Sequence, residues 1–295
     1  MLDIISKLRS LISENDINGI DLTLQQLGLT SFINAKKPTP FHEAKNIIYF
    51  LRNVYYAAVG EMYSYIKKNI QNSHLDCPDI IQLGFWPGGD RDGNPFVTWE
   101  TTRDVANELR MTLMKCYYRD LKDLEKKLTF RKVEDIVKKL KTRLYVTMFD
   151  PAETIGYGEI VDPLLLIKAS LIDNYNSLYL QELENLIDKA NIFKTHFATL
   201  DIRQNHSVHK QAIQEILKKE NLIDTSLEDL VNDELLAILL RKDISVNPDQ
   251  FENEIVKDTL RTIRQMKSIQ SKNGEEGCNR YIISNTEDIF AVLFV

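Results

Sequence analysis

Cysteine is scarce in this 295-residue sequence. Cys77, Cys116 and Cys278 are far apart and odd in number, which excludes a disulfide framework and offers no metal-ligand spacing. A reducing cytoplasm is the expected home. Long apolar runs are missing too, so no stretch can span a bilayer and no membrane partner is expected. The opening Met1-Leu2-Asp3-Ile4-Ile5-Ser6 is acidic and then amphipathic, unlike a secretory leader. There is no basic excess: the formal net charge is −6, which argues against a nucleic-acid partner. His42, His74, His196 and His206 show no ligand spacing, so no metal site is expected within the chain.

Hydrophobic residues, at 43% of the chain, can fill one large core or two small ones. Most of them recur at helical spacing. Leu2, Ile5, Leu8, Leu11 and Ile12 open the chain with an amphipathic helix, and Leu22 to Phe32 predicts a short second one. Thr39 as cap and Pro40 at the first helical position start a long helix to about Asn72. Its expected inner face is Ile47, Leu51, Val54, Ala58, Met62, Tyr65 and Ile66, with Tyr49, Phe50, Tyr55 and Tyr56 as core aromatics. Thr98 is expected to cap a helix whose apolar stripe is Val105, Leu109, Leu113, Cys116, Tyr117, Leu121, Leu124 and Leu128. On that stripe Cys116 reads as a small core residue. Val133 to Met148 predicts a further helix. Asp162-Pro163 predicts another, running to about Ala190 with Leu164, Ile167, Leu171, Tyr175, Leu178, Leu183 and Leu186 inward. Thr225 with Glu228 has the form of a capping box. Pro248 opens a helix with Phe251, Ile255, Leu260, Ile263 and Met266 inward, and Thr286-Glu287-Asp288 starts the last one.

Three stretches break the helical period. Ile80 to Trp86 is a short apolar strand that ends at Pro87, where pairing should stop. Gly88-Gly89 and Asp92-Gly93-Asn94-Pro95 then make a turn with Asp90, Arg91 and Asp92 in its middle. So much charge with so little bulk fits a polar site, or a rigid turn locked by its own ion pairs. Around residues 198–204, Ala198, Leu200 and Ile202 alternate with Thr199, Asp201 and Arg203, as a strand requires. Opposite charges near a strand's end fit an anion site or a structural ion pair. Cys278 to Ser284 is the third strand.

Trp86-Pro87-Gly88-Gly89-Asp90-Arg91-Asp92-Gly93-Asn94-Pro95 closely resembles the GGDRDGNP segment of phosphoenolpyruvate carboxylases. Leu200-Asp201-Ile202-Arg203-Gln204 with His209, and Tyr281-Ile282-Ile283-Ser284, resemble two later segments of that family, in its order and roughly its spacing. The resemblance covers the whole chain but an internal slice of the family's length. It implies a mainly α fold with a few parallel β-strands: part of a carboxylase-like α/β barrel, with strands near 80–86, 198–204 and 279–284, surrounded by long helices. Residues 1–295 would be a single partial domain.

The resemblance also implies a lyase that makes oxaloacetate and phosphate from phosphoenolpyruvate and bicarbonate, with Mg2+ or Mn2+ in the complete enzyme. Arg203 matches the arginine that grips the substrate phosphate. Trp86 matches the tryptophan lining an apolar pocket for CO2. Both are expected to bind substrate and take part in catalysis, with Asp90, Arg91, Asp92 and Asp201 as support behind them. The role of His209 stays open, a helix-end residue being the simpler reading. The family's catalytic histidine and metal carboxylates are expected in N- and C-terminal parts missing from this chain, which alone should not turn over. A homotetramer is usual in the family. Where this chain has Phe85, Pro87, Phe96 and Asn285 the family usually has other residues, which affects packing near Trp86 more than charge. The alternative is a non-catalytic helical scaffold or anion-binding module derived from the same fold.

Overall fold

The computed structural model describes residues 2–31, 37–69, 80–224, 226–227, 232–241 and 246–295. The chain divides into two units, one up to Thr39 and one from Pro40 onward. The first holds α1 (Leu2–Ser13) and α2 (Ile17–Leu29). Asp16 sets the start of α2: its carboxylate accepts the Gly19 N–H at 3.0 Å, as an N-cap should. That cap brings the helix five residues ahead of the expected Leu22. Phe32, the expected end, lies outside the described residues.

The second unit begins with α3 (Pro40–Phe50), with Pro40 in the first turn as expected. The long helix does not continue unbroken. Leu51–Tyr55 form a π-turn, and α4 (Tyr56–Asn69) follows. A π-turn inserts a residue and rotates everything after it. Ala44, Ile48 and Leu51 are buried before it, and Tyr56, Val59 and Tyr63 after it. The expected inner positions Val54, Met62 and Tyr65 are therefore exposed, as are Tyr49, Phe50 and Tyr55. Tyr56 alone of the four aromatics is core, stacked on Phe193 with ring centroids 5.4 Å apart. Asn72 lies outside the described residues.

Thr98 caps α5 (Trp99–Glu125), and every residue of the expected stripe is buried. Burial pushes the Cys116 thiol up to about 12, so it stays protonated as a core residue. Arg110 is also fully buried, its Nη1 and Nη2 donating to the carbonyls of Glu153 at 2.5 Å and Pro151 at 2.8 Å, while its Nε has no partner among the described residues. α6 (Val133–Thr147) follows as expected. The helix expected from Pro163 to Ala190 is two: α7 (Tyr157–Asn174) and α8 (Leu180–Phe193). Gly156 caps α7, and Pro163 sits inside it. The cost is one ladder hydrogen bond, to the carbonyl of exposed Glu159. Positive φ at Asn176, Ser177 and Tyr179 breaks the chain before α8, which leaves Leu178 exposed.

The strands are shorter than expected. β1 is Gly84–Phe85, β2 Thr199–Leu200, β3 Ile202–Asn205 and β4 Tyr281–Ser284. β1 pairs with β2 and β3 with β4, both parallel. Beyond β3 come α9 (His206–Lys219), α10 (Asn232–Arg241), α11 (Glu254–Asn273) and α12 (Phe290–Phe294). Thr225 and Glu228 lie outside the described residues. The described residues are thus mainly helical with a few short parallel strands. No described helix is long and apolar enough to cross a membrane.

Candidate functional site

Backbone hydrogen bonds make β2 and β3 the middle of one ribbon. The N–H groups of Thr199 and Asp201 donate to Leu83 and Phe85 at 2.8 Å, and that of Ile202 to Arg280 at 3.0 Å. Odd residues therefore pair toward β1 and even residues toward β4. Side chains alternate with them. Ala198, Leu200 and Ile202 are buried among the helices. Register places Arg203 beside Ile282 and Phe85 beside Leu200. Phe85 faces the core, so alternation turns Trp86 to the opposite face. Trp86 is 48% exposed and Ile282 40%, and Asp201 and Arg203 are half-buried. The departure from the family at Phe85 thus points away from the face of Trp86.

The glycines after Trp86 let the loop lie on the middle strand. Gly88 has φ +81°, and its carbonyl accepts the Thr102 hydroxyl at 2.7 Å. A Cβ on Gly89 would stand 2.1 Å from the Asp201 carbonyl oxygen. This close approach joins the two motifs at one residue. The Arg203 N–H donates to the Gly89 carbonyl at 2.9 Å, and the Arg91 N–H donates to the Arg203 carbonyl at 3.0 Å.

The charges do not neutralise each other across the loop. Arg91 is buried and ion-paired with Asp258 of α11, and its Nη1 donates to Thr262 Oγ1 at 2.5 Å. Burial lowers its pKa to about 10, so it stays cationic at neutral pH. Asp90 accepts the Asp92 N–H at 3.3 Å, and Asp92 accepts from Asn205 Nδ2 at 3.4 Å. Asp201 lies 3.1 Å from Arg280 Nε, in a geometry that makes an ion pair without a hydrogen bond. Arg203 is the exception. Among the described residues its side chain has no ion pair or hydrogen bond, and its Nε is buried with no partner.

His209 is in the first turn of α9, where the helix-end reading put it, and it is fully buried. Its Nδ1 lies 3.0 Å from the Asn205 carbonyl and its Nε2 2.9 Å from the Tyr281 hydroxyl. A carbonyl can only accept, so Nδ1 carries the proton and the hydroxyl donates to Nε2. Burial lowers the His209 pKa, consistent with a neutral ring tying α9 to β4.

A cleft of about 550 Å3 is lined by Arg91, Asn94, Trp99, Asn205, Asp258 and Arg261 among others. Neither Trp86 nor Arg203 lines it. Asp258, Thr262 and Tyr281 were not singled out as site residues from sequence. On α11 the apolar spacing pointed to Ile255, which is 53% exposed. Of the expected inward residues Phe251 and Leu260 are buried, but half of the buried face is polar: Thr259, Thr262 and Asn273 lie among Val256, Leu260 and Ile269, and polar residues add nothing to a hydrophobic period. Among the described residues no three His, Cys, Asp or Glu side chains cluster as metal ligands would. Asp90, Asp92 and Asp201 are engaged as given above. These residues do not fit a resident Mg2+ or Mn2+.

Residues 13–151 and 150–295 match the family model described as phosphoenolpyruvate carboxylase. A curated relative, the phosphoenolpyruvate carboxylase of Synechocystis sp. (strain ATCC 27184 / PCC 6803 / Kazusa), is 28% identical over 329 residues. The match covers 90% of this chain and 31% of the relative, so the chain spans about a third of that relative's length.

Proposed function

Because this chain belongs to the phosphoenolpyruvate carboxylase family, we propose that it supplies the phosphoenolpyruvate-gripping part of such an enzyme. The overall reaction joins phosphoenolpyruvate and bicarbonate to give oxaloacetate and phosphate. The phosphoryl group passes to bicarbonate, leaving an enolate. Carboxyphosphate releases phosphate and CO2, and the enolate carbon attacks CO2. The observation that carries the reading is Arg203, a permanent cation with a buried, unpartnered Nε and no anion paired with it among the described residues. A guanidinium in that state is complementary to phosphate, whose oxygens match its fork of donors. It also offsets charge as the phosphoryl group moves.

Trp86, on the same face, would cover the enolate and keep water from protonating it. Asp201 and the loop Asp90–Asp92 hold the strand end around Arg203 rather than touching substrate. The family's metal ion would supply a positive charge that offsets the developing negative charge. Its ligands and the proton-handling histidine would come from residues outside this chain. Carboxylation by residues 1–295 alone is therefore not expected, but anion binding is.

Isothermal titration calorimetry with phosphoenolpyruvate tests this. Removing one partner of a charged contact costs about 2 kcal/mol or more, so Arg203→Ala should weaken binding at least about thirtyfold. Arg203→Lys keeps the charge but loses the fork and should fall between. Wild-type affinity in Arg203→Ala would remove Arg203 from the site.

A further inference from the structure

We infer that Asp258, on α11, is the positioning residue that fixes Arg203, acting through Arg91 and the glycine loop. The inference rests on the reading of Arg203 as the phosphate grip. Asp258 uses both carboxylate oxygens. Oδ1 accepts the Trp99 N–H at 2.9 Å, the first amide of α5, and Oδ2 pairs with the Arg91 guanidinium. Thr262, one turn further along α11, closes the triangle. Its Oγ1 is 2.5 Å from Arg91 Nη1 and donates to the Asp258 carbonyl at 2.8 Å. One side chain thus holds the start of α5 and the loop arginine together.

The path to Arg203 is short and made of hydrogen bonds. Arg91 turns its side chain to α11 and its backbone N–H to the Arg203 carbonyl. Two residues back, Gly89 accepts the Arg203 N–H. Both backbone groups of Arg203 are therefore held by a loop that is itself anchored by Asp258. The edge toward β4 cannot serve instead, because there Ile202 makes the bond, to Arg280. A buried guanidinium that loses its carboxylate must seek water or another partner. It would draw the loop off the strand as it did so. Precise placement of a charged grip requires such support behind it.

Two variants and two readouts test this on the 295-residue chain. Asp258→Asn can still accept from the Trp99 amide but cannot neutralise Arg91. Thr262→Val removes one acceptor and keeps the volume, so it reports if Asp258→Asn does not fold. In native-state hydrogen exchange both should speed the amides of Arg91 and Arg203, by about tenfold or more for Asp258→Asn, while the α5 and α8 amides keep their protection. Phosphoenolpyruvate affinity should drop about tenfold in Asp258→Asn, the scale of one charged hydrogen bond, and partly return in Asp258→Glu. A general loss of stability would not single out those two amides or be rescued by a longer carboxylate. Unchanged exchange at Arg91 and Arg203 in both variants would overturn the inference, even if Arg203→Ala abolished binding. Faster exchange there, with binding unaffected by Arg203→Ala, would leave the positioning intact and discard the carboxylase reading of Arg203.

Discussion

At Gly89 a hydrogen atom decides where the loop can lie. A methyl group there would stand 2.1 Å from the Asp201 carbonyl oxygen, and that atom is backbone and cannot swing away. At Gly93, φ is +71° but nothing lies within 4 Å of a Cβ. Gly89→Ala should therefore cost about 1–3 kcal/mol or more, as overpacking does. Gly93→Ala should cost about 1 kcal/mol, from the torsion alone. Urea unfolding measures both, and equal costs would contradict the close approach. At this scale the sequence was informative where composition is unusual. Two glycines, three alternating charges and an adjoining tryptophan mark the loop, and strand alternation puts Arg203 opposite the buried Leu200 and Ile202. Asp258 carried no such mark, being one acid on a charged helix. Only folding reveals that it meets Arg91.

The π-turn between α3 and α4 shows where reading by period fails at the scale of an element. A constant 3.6-residue repeat from Leu51 leads to Val54, Ala58 and Met62. The wider turn leads instead to Tyr56, Val59 and Tyr63, which are buried. Tyr56 also donates to Asp120 Oδ2 at 2.9 Å, and Lys189 Nζ lies 2.8 Å from that same oxygen. Tyr56→Ala should then cost about 3–5 kcal/mol, whereas Val54→Ala should stay within about 0.5 kcal/mol. Thermal or urea unfolding distinguishes them, and a costly Val54→Ala would restore the unbroken helix. No residue in 51–55 announces the π-turn, since none is proline or glycine. By contrast α5 was legible along its whole buried stripe, because its period is never interrupted. The helix expected through residue 190 failed at a left-handed stretch of Asn176, Ser177 and Tyr179, which holds neither proline nor glycine to mark a break.

Across the whole molecule, burial of titratable groups sets how stability responds to pH. His196 is buried, and desolvation lowers its pKa to about 4 from the ordinary 6.5. The unfolded chain binds that proton first as pH falls, so unfolding is favoured on the acid side. The contribution is complete above about pH 6.5 and is lost as pH falls toward 4. A shift of that size corresponds to about 3 kcal/mol. Urea midpoints at pH 7 and 4.5 should separate more for the wild type than for His196→Gln, and equal separations would contradict a neutral buried ring. Helical class and the three stretches that hold strands were readable at this scale, because each interrupts a long helical period, although the stretch 198–204 divides into two strands. Strand length was not, since pairing depends on neighbours far away in sequence.

The most direct measurement uses Trp86 as its own reporter. In the Trp99→Phe variant Trp86 is the sole indole, half-exposed and proposed to share a face with Arg203. Phosphoenolpyruvate added to that variant should change its emission saturably, and the change should vanish when Arg203→Ala is added. No change with Arg203 present, or the same curve without it, would contradict a phosphate grip on that face.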